Sequence, residues 1–293
     1  MKRRSIGDII FNIFNTIFML IMIAITLYPI LYVAFASLSD SSQLMSHTGL
    51  LLRPLGFNLK GYAEVFKNPM TVMTFGNTVF YVVVGTAINM FVTTLGAYAL
   101  SRPQLWIKKY VNLGIVFTMF FSGGLIPLYL LVKNIGIYDT RWSLLLPVAV
   151  NSWNYMVMRT SFSGFSVSLE EAAKIDGAND FQILAKIALP VFGSTLAVMV
   201  LFYAVQHWNS WFDGMLYIKD MSLKPLQTYL RSIVIVDSAV GETGMTLEDA
   251  VANATADGAN GAKIFLAIFP IMCVYPFLQK YFAKGLVRGS VKE

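Results

Sequence analysis

The chain has 293 residues, of which 56% are hydrophobic and 13% charged, and its mean hydropathy is +0.63. About a quarter of the residues of a soluble domain are charged, so this composition excludes that class and indicates a membrane protein. The net charge of +6 could indicate a nucleic-acid partner, but the basic residues cluster in short segments beside apolar runs. The single cysteine, Cys273, excludes a disulfide within the chain, and its apolar surroundings predict a free, buried, unreactive thiol.

Six apolar runs are long enough to cross about 30 Å of hydrocarbon. They predict an all-α polytopic membrane protein with a single domain over residues 1–293. The first run follows the basic start "MKRR", but it is too long for a signal peptide and no small-x-small cleavage site follows, so we expect a retained helix. The predicted spans are 11–37, 74–100, 110–132, 142–158, 188–212 and 264–282.

Lysine and arginine residues predict the orientation of these spans. With the N-terminus inside, 13 of the 22 basic residues lie on the cytoplasmic side, most clearly in "KRR" and "SRPQLWIKK". This assignment places both termini and the loop of residues 159–187 in the cytoplasm. The outer loop, residues 213–262, contains the small, polar and acidic stretch "GETGMTLEDAVANATADGANGAK", which fits either a docking surface for a substrate-binding protein or an elaborated connection.

The 159–187 loop carries the capping signals of a short helix. Ser168 followed by Glu171 fits an S-x-x-E capping box, which predicts a helix from about Leu169. Glu170 and Glu171 would lie in its first turn, where negative charge favours the helix dipole. The residues predicted to share one low-relief face by i, i+3 and i+4 spacing are Leu169, Ala172, Ala173 and Asp176.

The second half of the loop predicts another short helix. Gly177 is a natural stop for the first helix, and Asp180 is expected to cap a second one that runs to about Ile187. Pro190 then suits the first turn of the fifth span. These features alone fit a solvated connection between spans as well as a compact knob that docks on a partner.

The stretch "EAAKIDGANDFQILAKIALP" matches the pattern E-A-A-x3-G-x9-I-x-L-P at every spaced position. This pattern is that of the EAA loop in membrane subunits of bacterial ABC importers. Other segments resemble the permeases of the maltose-type group of carbohydrate importers: "TLYPILYVAFASLSD", "NTVFYVVVGTAINMFVTTLGAYALSR", "WNSWFDGMLYIKD" and "KYFAKGLVRGSVKE". Within that group, "FFSGGLIPLYLLVKNIGIYDTRWSLLLP" is most similar to the subfamily for oligosaccharide and polysaccharide uptake, some members of which handle uronate-containing chains such as alginate.

The resemblance implies a type I ABC importer permease fold with six transmembrane helices in the bacterial cytoplasmic (inner) membrane. It implies a second related permease, a dimer of ATP-binding subunits, an extracytoplasmic solute-binding protein and a carbohydrate substrate. In that family the EAA loop is the coupling helix, which sits in a cleft of the ATP-binding subunit. The residues of this chain that would make that contact are Glu170, Glu171, Ala172, Ala173, Asp176 and Gly177.

The chain lacks the phosphate-binding pattern G-x4-G-K-[ST], so we expect ATP and Mg²⁺ to be bound by a partner ATPase. We therefore expect a non-catalytic subunit that needs no cofactor or metal of its own and binds no nucleic acid. A serine hydrolase is not supported, because neither histidine lies near a recognisable nucleophile motif.

Polar residues inside the predicted spans are candidates for the translocation path, because burying them in lipid is costly. Amides and indole rings suit the hydroxyl edges and apolar faces of sugars. An interfacial aromatic belt or hydrogen bonds between helices would explain the same residues. The candidates are Gln206, His207, Trp208, Asn209 and Trp211 in the fifth span, Asn89 and Thr93 in the second, and Asn151 and Asn154 in the fourth.

Two alternatives stay open beside a carbohydrate importer. One is the permease of an ABC importer for a non-sugar solute, which would share the loop but not the flanking segments. The other is a secondary transporter, although inverted repeats and intramembrane charges are expected there and the spans here are nearly free of acids.

Overall fold

The computed structural model describes residues 6–47, 49–239, 261–274 and 276. Among these residues all regular secondary structure is helical. The chain divides into two compact units, Met1–Thr71 with Ser232–Ile268 and Val72–Arg231 with Phe269–Glu293. The first nine described helices are α1 Ile6–Ser37, α2 Ser41–Met45, α3 Lys60–Lys67, α4 Pro69–Ser101, α5 Lys108–Phe120, α6 Leu125–Asn134, α7 Trp142–Leu145, α8 Ser152–Ser163 and α9 Val167–Ile175. They are followed by α10 Asp180–Ile183, a π-helical turn Leu184–Ala188, α11 Leu189–Val191, α12 Gly193–Trp208, α13 Trp211–Tyr217, a 3-10 turn Met221–Leu223, α14 Leu226–Ala239 and α15 Gly261–Val274.

In the first unit, α1 is apolar on all sides. Over its most hydrophobic window only 6% of the residues are buried within the chain. A helix of 32 residues that is hydrophobic all round is suited to cross a bilayer. Its end packs on a small core cluster in which Ala36, Leu44 and Leu51 are buried, and Asp40 caps α2 by accepting a hydrogen bond from the Ser42 backbone.

In the part of the chain that the structure describes, two helices, α1 and α4, are long and apolar enough to cross a membrane, and two bent helix pairs raise that number to four if each pair is one span. The first two predicted spans, 11–37 and 74–100, therefore correspond to continuous helices. The total of six spans stays a prediction.

The predicted third span, 110–132, is not one straight helix. Helices α5 and α6 meet at an angle of 118° around Phe121 to Gly124. Gly124 adopts a φ of +88°, which glycine reaches without a side-chain clash, so the Ser-Gly-Gly sequence turns the chain.

The predicted fourth and fifth spans are also interrupted. Residues 142–158 form α7 and α8 with a break that contains Pro147, which has no backbone N–H to continue a helix. Residues 188–212 are bent by 86° at Phe192, and α12 ends at Trp208.

The predicted sixth span, 264–282, begins in α15, and its residues 275 and 277–282 lie outside the described part. Cys273 is free, as predicted, but it is exposed in the single chain, so the prediction of a buried thiol is wrong. The predicted orientation depends partly on residues 1–5 and 277–293, which also lie outside the described part.

The outer loop predicted for residues 213–262 begins with ordered helices. The carboxylate of Asp139 accepts hydrogen bonds from the backbones of Lys219 and Asp220, at 2.7 and 2.9 Å. The side-chain amide of Asn77 donates to the carbonyls of Ser222 and Lys224, at 2.6 and 3.2 Å. The connection after α13 is thus tied to α4 within the second unit, while residues 240–260, which carry the predicted docking surface, lie outside the described part.

The main core of the second unit holds the 159–187 loop in place. Tyr98 of α4 and Phe162 of α8 stack edge to face with ring centroids 5.7 Å apart. Buried residues from α4, α8, α9, α10, the π-helical turn, α12 and the α8–α9 connection complete this cluster: Ala97, Tyr155, Met158, Phe165, Ala173, Ile183, Leu184, Ala188 and Met199. The loop is therefore packed onto the core rather than extended into solvent.

Candidate functional site: the 159–187 loop and its contact with α4

Helix α9 begins two residues earlier than the sequence predicts. Its N-cap is Ser166, whose backbone is extended and whose side chain makes no cap hydrogen bond to the helix. Ser168 lies inside the first turn, where its hydroxyl bonds the Ser166 hydroxyl at 2.7 Å. The predicted Ser168–Glu171 capping box is therefore wrong, because the extended entry of the chain already ends at Ser166.

The stop at Gly177 is confirmed in atomic detail. Gly177 has a φ of +82°, and its N–H donates to the carbonyl of Lys174 at 3.0 Å. The N–H of Ala178 donates to the carbonyl of Ala173 at 2.9 Å. These two bonds form a Schellman motif, in which the left-handed glycine satisfies the last carbonyls of the helix.

The second short helix is capped by Asn179, so the prediction that Asp180 caps it is wrong. The backbone of Gln182 donates to the Asn179 side chain at 2.9 Å, and the Asn179 backbone donates to the Gln182 side chain at 3.0 Å. This reciprocal capping box displaces Asp180 to the first helical position, where its charge still favours the helix dipole.

The second helix continues further than predicted. A π-helical turn carries it past Ile187 to Val191, and the chain then bends into α12. Pro190 lies in the first turn of α11, at the start of the predicted span 188–212 as expected, but this turn comes before the bend into α12.

The two faces of α9 differ sharply in burial. Glu170 and Ala173 point into the protein, with 3% and 7% of their surface exposed. Glu171 and Ala172 are exposed, as are Leu169, Ile175 and Asp176. The predicted low-relief face is therefore correct for Leu169, Ala172 and Asp176 and wrong for Ala173, because the helical period places Ala173 beside Glu170.

Glu170 forms a buried ion pair with Arg102, at the end of α4. The two side chains are 4% and 11% exposed, and Arg102 Nη1 donates to Glu170 Oε2 at 2.8 Å. Lys174 Nζ donates to the other carboxylate oxygen at 2.9 Å and lies 3.3 Å from Asp180. We call the Arg102–Glu170 pair the clasp.

The clasp sets the charge state of Glu170. Burial raises the pKa of its carboxyl, but hydrogen bonds from Lys174 and Arg102 and their positive charges outweigh burial, so the pKa lies below its usual value. Its hydrogen bond to Glu170 is the main reason why the pKa of Lys174 is raised. Glu170 and Lys174 therefore both stay charged near neutral pH.

In the sequence, Arg102 counts only as one of the basic residues that predict membrane orientation, and its contact with Glu170 was missed. The two residues are 68 positions apart, so no local pattern relates them. The tandem Glu170–Glu171 on a short helix next to apolar residues is the one signal that could have suggested the contact, because a carboxylate that turns inward needs a cation. A groove of about 520 Å³ opens beside the clasp, with Tyr98, Leu105 and Phe181 among its lining residues.

Several residues predicted for the translocation path instead join helices. His207 is buried, and its Nε2 lies 2.6 Å from Asn89 Oδ1, while Asn89 Nδ2 donates to the carbonyl of Val148 at 2.5 Å. The hydroxyls of Thr93 and Tyr203 are 2.7 Å apart. The Asn89–His207 and Thr93–Tyr203 bonds connect α4 with α12 and favour the explanation by helix–helix hydrogen bonds for Asn89, Thr93 and His207.

The other predicted path residues lie in varied environments. Asn151 caps α8 by accepting a bond from the backbone of Asn154, which is itself buried. Trp208 is buried and packs edge to face on Phe75, and Asn209 is exposed at the end of α12. Gln206 and Trp211 are half-buried, and the guanidinium of Arg231 lies 3.9 Å from the centre of the Trp211 ring.

The residues that the structure describes contain no group of three or more His, Cys, Asp or Glu side chains that could hold a metal ion. The features that stand out are a capped, partly exposed short helix and a buried clasp behind it. Helix α9 thus presents an exposed surface whose opposite side is fixed to the core by the clasp.

Comparison with known proteins gives relatives that span the whole chain. Protein LplC of Bacillus subtilis is 38% identical over 97% of this chain and 95% of its own length. The polygalacturonan/rhamnogalacturonan transport system permease protein YtcP of the same organism is 38% identical over 100% of both chains. No family model matches the chain.

Solved structures agree with these relatives. A chain from the crystal structure of a bacterial ABC transporter involved in the import of the acidic polysaccharide alginate matches with a TM-score of 0.86 and 33% identity, over 96% of this chain and 100% of that one. A chain from a bacterial alginate ABC transporter in complex with an alginate pentasaccharide-bound periplasmic protein shares the fold alone, with a TM-score of 0.53 and 15% identity, over 91% of this chain and 96% of that one. The protein thus belongs to the permease subunits of ABC transporters, and its all-α structure is the membrane permease fold of an ABC importer.

Proposed function

We propose that this permease forms half of the translocation path of an ATP-driven importer for an acidic oligosaccharide or polysaccharide. The observation that carries this proposal is the full-length match to a permease named for polygalacturonan and rhamnogalacturonan transport. The alginate importer supports it independently, at 33% identity. Alginate and polygalacturonan are both chains of uronic acids, so a uronate-containing substrate is the class that the two relatives share.

The remaining partners follow from the same proposal. A second related permease supplies the other half of the path, two ATP-binding subunits supply the energy, and a solute-binding protein delivers the sugar. ATP and Mg²⁺ belong to the ATP-binding subunits, and this chain performs no covalent chemistry. The distribution of Lys and Arg supports an inner-membrane orientation with both termini and the 159–187 loop in the cytoplasm.

We assign the contact with the ATP-binding subunit to the exposed side of the loop. Glu171, Ala172 and Asp176 present a charged, low-relief surface there, and Gly177 fixes the turn that follows. Glu170 and Ala173 belong to the same motif, but they lie on the core-facing side of α9 and hold the helix on the core. Packed interfaces switch between discrete arrangements, so a rigid α9 can transmit a rotation to the membrane helices.

For the sugar path, the exposed Asn209 and the half-buried Gln206 and Trp211 are the strongest members of the predicted set. Asn151, Asn154 and Trp208 fit a supporting role, because Asn154 and Trp208 are buried and Asn151 caps a helix. His207 and Asn89 would shape the path by fixing α12 against α4.

A transport assay with the purified importer in proteoliposomes tests this function. Uptake and ATP hydrolysis are measured with the binding protein supplied with oligogalacturonides, alginate oligosaccharides, neutral arabino-oligosaccharides or amino acids. We expect ATP-dependent uptake of a uronate chain and weak or no uptake of the neutral chain. Equal or greater uptake of the neutral sugar would contradict the acidic-sugar assignment, and uptake of an amino acid alone would support the non-sugar alternative.

A further inference from the structure

Three separate elements meet at the side chain of Arg102. Its Nε and Nη2 donate to the Ser101 hydroxyl at 3.1 and 3.0 Å, Nη1 donates to Glu170, and Nη2 also donates to the carbonyl of Phe162. Its guanidinium lies 4.9 Å from the centre of the Tyr98 ring and 5.4 Å from that of Phe165. The end of α4, the end of α8 and the start of α9 are thus held by one planar side chain.

The geometry of this contact favours arginine over lysine. A guanidinium presents five N–H donors in a rigid fork and stacks on aromatic rings, whereas a lysine ammonium does neither. The pair is buried, so removing Glu170 leaves the Arg102 guanidinium without a counter-charge, and removing Arg102 leaves Glu170 with only the more exposed Lys174 as its ionic partner. An exposed ion pair contributes little in comparison.

Helix α4 in turn bonds to α12 through the pairs Asn89–His207 and Thr93–Tyr203. Helix α9 reaches α12 along the chain, through α10 and the bend at Phe192. It reaches α4 through no adjacent peptide segment, because Arg102 and Glu170 are 68 residues apart. The clasp is therefore a direct non-covalent link from the docking helix to the membrane helix that carries Asn89 and Thr93.

We propose that Arg102 is a positioning residue for transport, which makes α4 follow α9 when the ATP-binding subunits move the loop. This inference rests on the proposed function, because it concerns how that function is driven. With the clasp intact, a displacement of α9 is passed to α4 and α12 together. With the clasp broken, α4 follows α9 only indirectly, through the shared core and its bonds to α12, so ATP hydrolysis is less tightly matched by movement of the sugar path.

The test compares sugar molecules taken up per ATP hydrolysed by the reconstituted importer. The variants are Arg102→Met, Glu170→Met, the double variant and Arg102→Lys, with Lys109→Met as a matched control. Lys109 is an exposed cation at the start of α5, so its loss changes the charge of the same region without touching the clasp. The midpoint of thermal unfolding and the recovery of the assembled complex are measured for each variant.

We expect the two single Met variants to lower uptake per ATP by about tenfold, within the usual range of coupling between sites. The double variant should recover thermal stability, because two apolar side chains replace an ion pair of similar volume. Its uptake per ATP should stay as low as that of the worse single variant, which a purely structural role would not produce. Arg102→Lys keeps the charge and should restore part of the uptake per ATP.

Three results would overturn the proposal. The first is normal uptake per ATP in an assembled Arg102→Met or double variant. The second is an Arg102→Lys variant that assembles and is no better than Arg102→Met, and the third is an equal loss in Lys109→Met. If the wild-type importer transports no sugar, the proposed function itself has failed, so the two failures are distinguishable.

Discussion

The EAA motif has residues on two opposite faces of α9, one packed on the core and one exposed. Glu170 and Glu171 are adjacent and chemically identical, yet one is buried in the clasp with Arg102 and the other is exposed. Ala172 and Ala173 divide in the same way, the first outward and the second into the core. The residues of the EAA pattern therefore do not share a single exposed face, because Glu170 and Ala173 hold the helix on the core while Glu171 and Ala172 face outward.

The largest expected difference between the faces is in stability. Glu170→Ala should cost about 3–5 kcal/mol, because it leaves the buried Arg102 guanidinium without its carboxylate. Glu171→Ala is the matched control, one residue away and exposed, and should cost less than about 0.5 kcal/mol. The midpoint of thermal unfolding in detergent measures both, and equal shifts would remove the distinction between the faces.

The outer face should instead control transport. Glu171→Lys should reduce ATP-dependent uptake about tenfold, equivalent to ~1.4 kcal/mol at the interface with the ATP-binding subunit. The midpoint of thermal unfolding of the isolated permease should stay at the wild-type value, because the side chain is exposed. Uptake at the wild-type rate would show that the exposed glutamate does not take part in the contact.

The turn that joins the faces to the second helix should be sensitive to backbone conformation. Gly177→Ala should cost about 1 kcal/mol, because an alanine at a φ of +82° is strained although its Cβ would meet nothing within 4 Å. Gly177→Asn should cost less, since asparagine tolerates the left-handed region. Unfolding midpoints that do not rank glycine above asparagine above alanine would contradict the Schellman geometry.

The smallest expected effect is the pH dependence of the stability that the buried Glu170 contributes. The folded-state pKa of Glu170 lies below its usual value of 4.5, so its contribution is fully present above that value and is lost as the pH falls through the lower folded-state pKa. The stability difference between wild type and Glu170→Gln should therefore be constant near neutral pH and shrink below about pH 4.5. A difference that grows on acidification would have the wrong sign for a depressed carboxyl pKa.

Part of this organisation could be predicted from the sequence. The first two spans are long, uninterrupted apolar runs, and they form continuous helices. The stop at Gly177 was predictable because a helix end with a left-handed residue strongly favours glycine. The helix starts were harder to place, since several Ser, Asn and Asp residues near them are acceptable caps and only the path of the incoming chain selects Ser166 and Asn179.

The bends and the clasp could not be predicted in the same way. A run of apolar residues looks alike whether the helix is straight or turned by 118°, so residues 110–132 suggested one span despite their Ser-Gly-Gly sequence. The contact between Arg102 and Glu170 depends on how α4 and α9 pack, which hydrophobic periodicity does not encode. The same reason explains why Asn89 and His207 suggested a sugar path but are bonded to each other.

Site-specific cross-linking to the ATP-binding subunit tests the central claim most directly. Two variants, Ala172→Cys and Ala173→Cys, are made separately in a Cys273→Ser background. Each is treated with a short photoreactive thiol reagent in the assembled importer. The account predicts an adduct with the ATP-binding subunit from position 172 and none from the buried position 173. An intact importer that gives no adduct from position 172, or equal adducts from both, would contradict the assignment of the exposed face of α9 as the contact that drives transport.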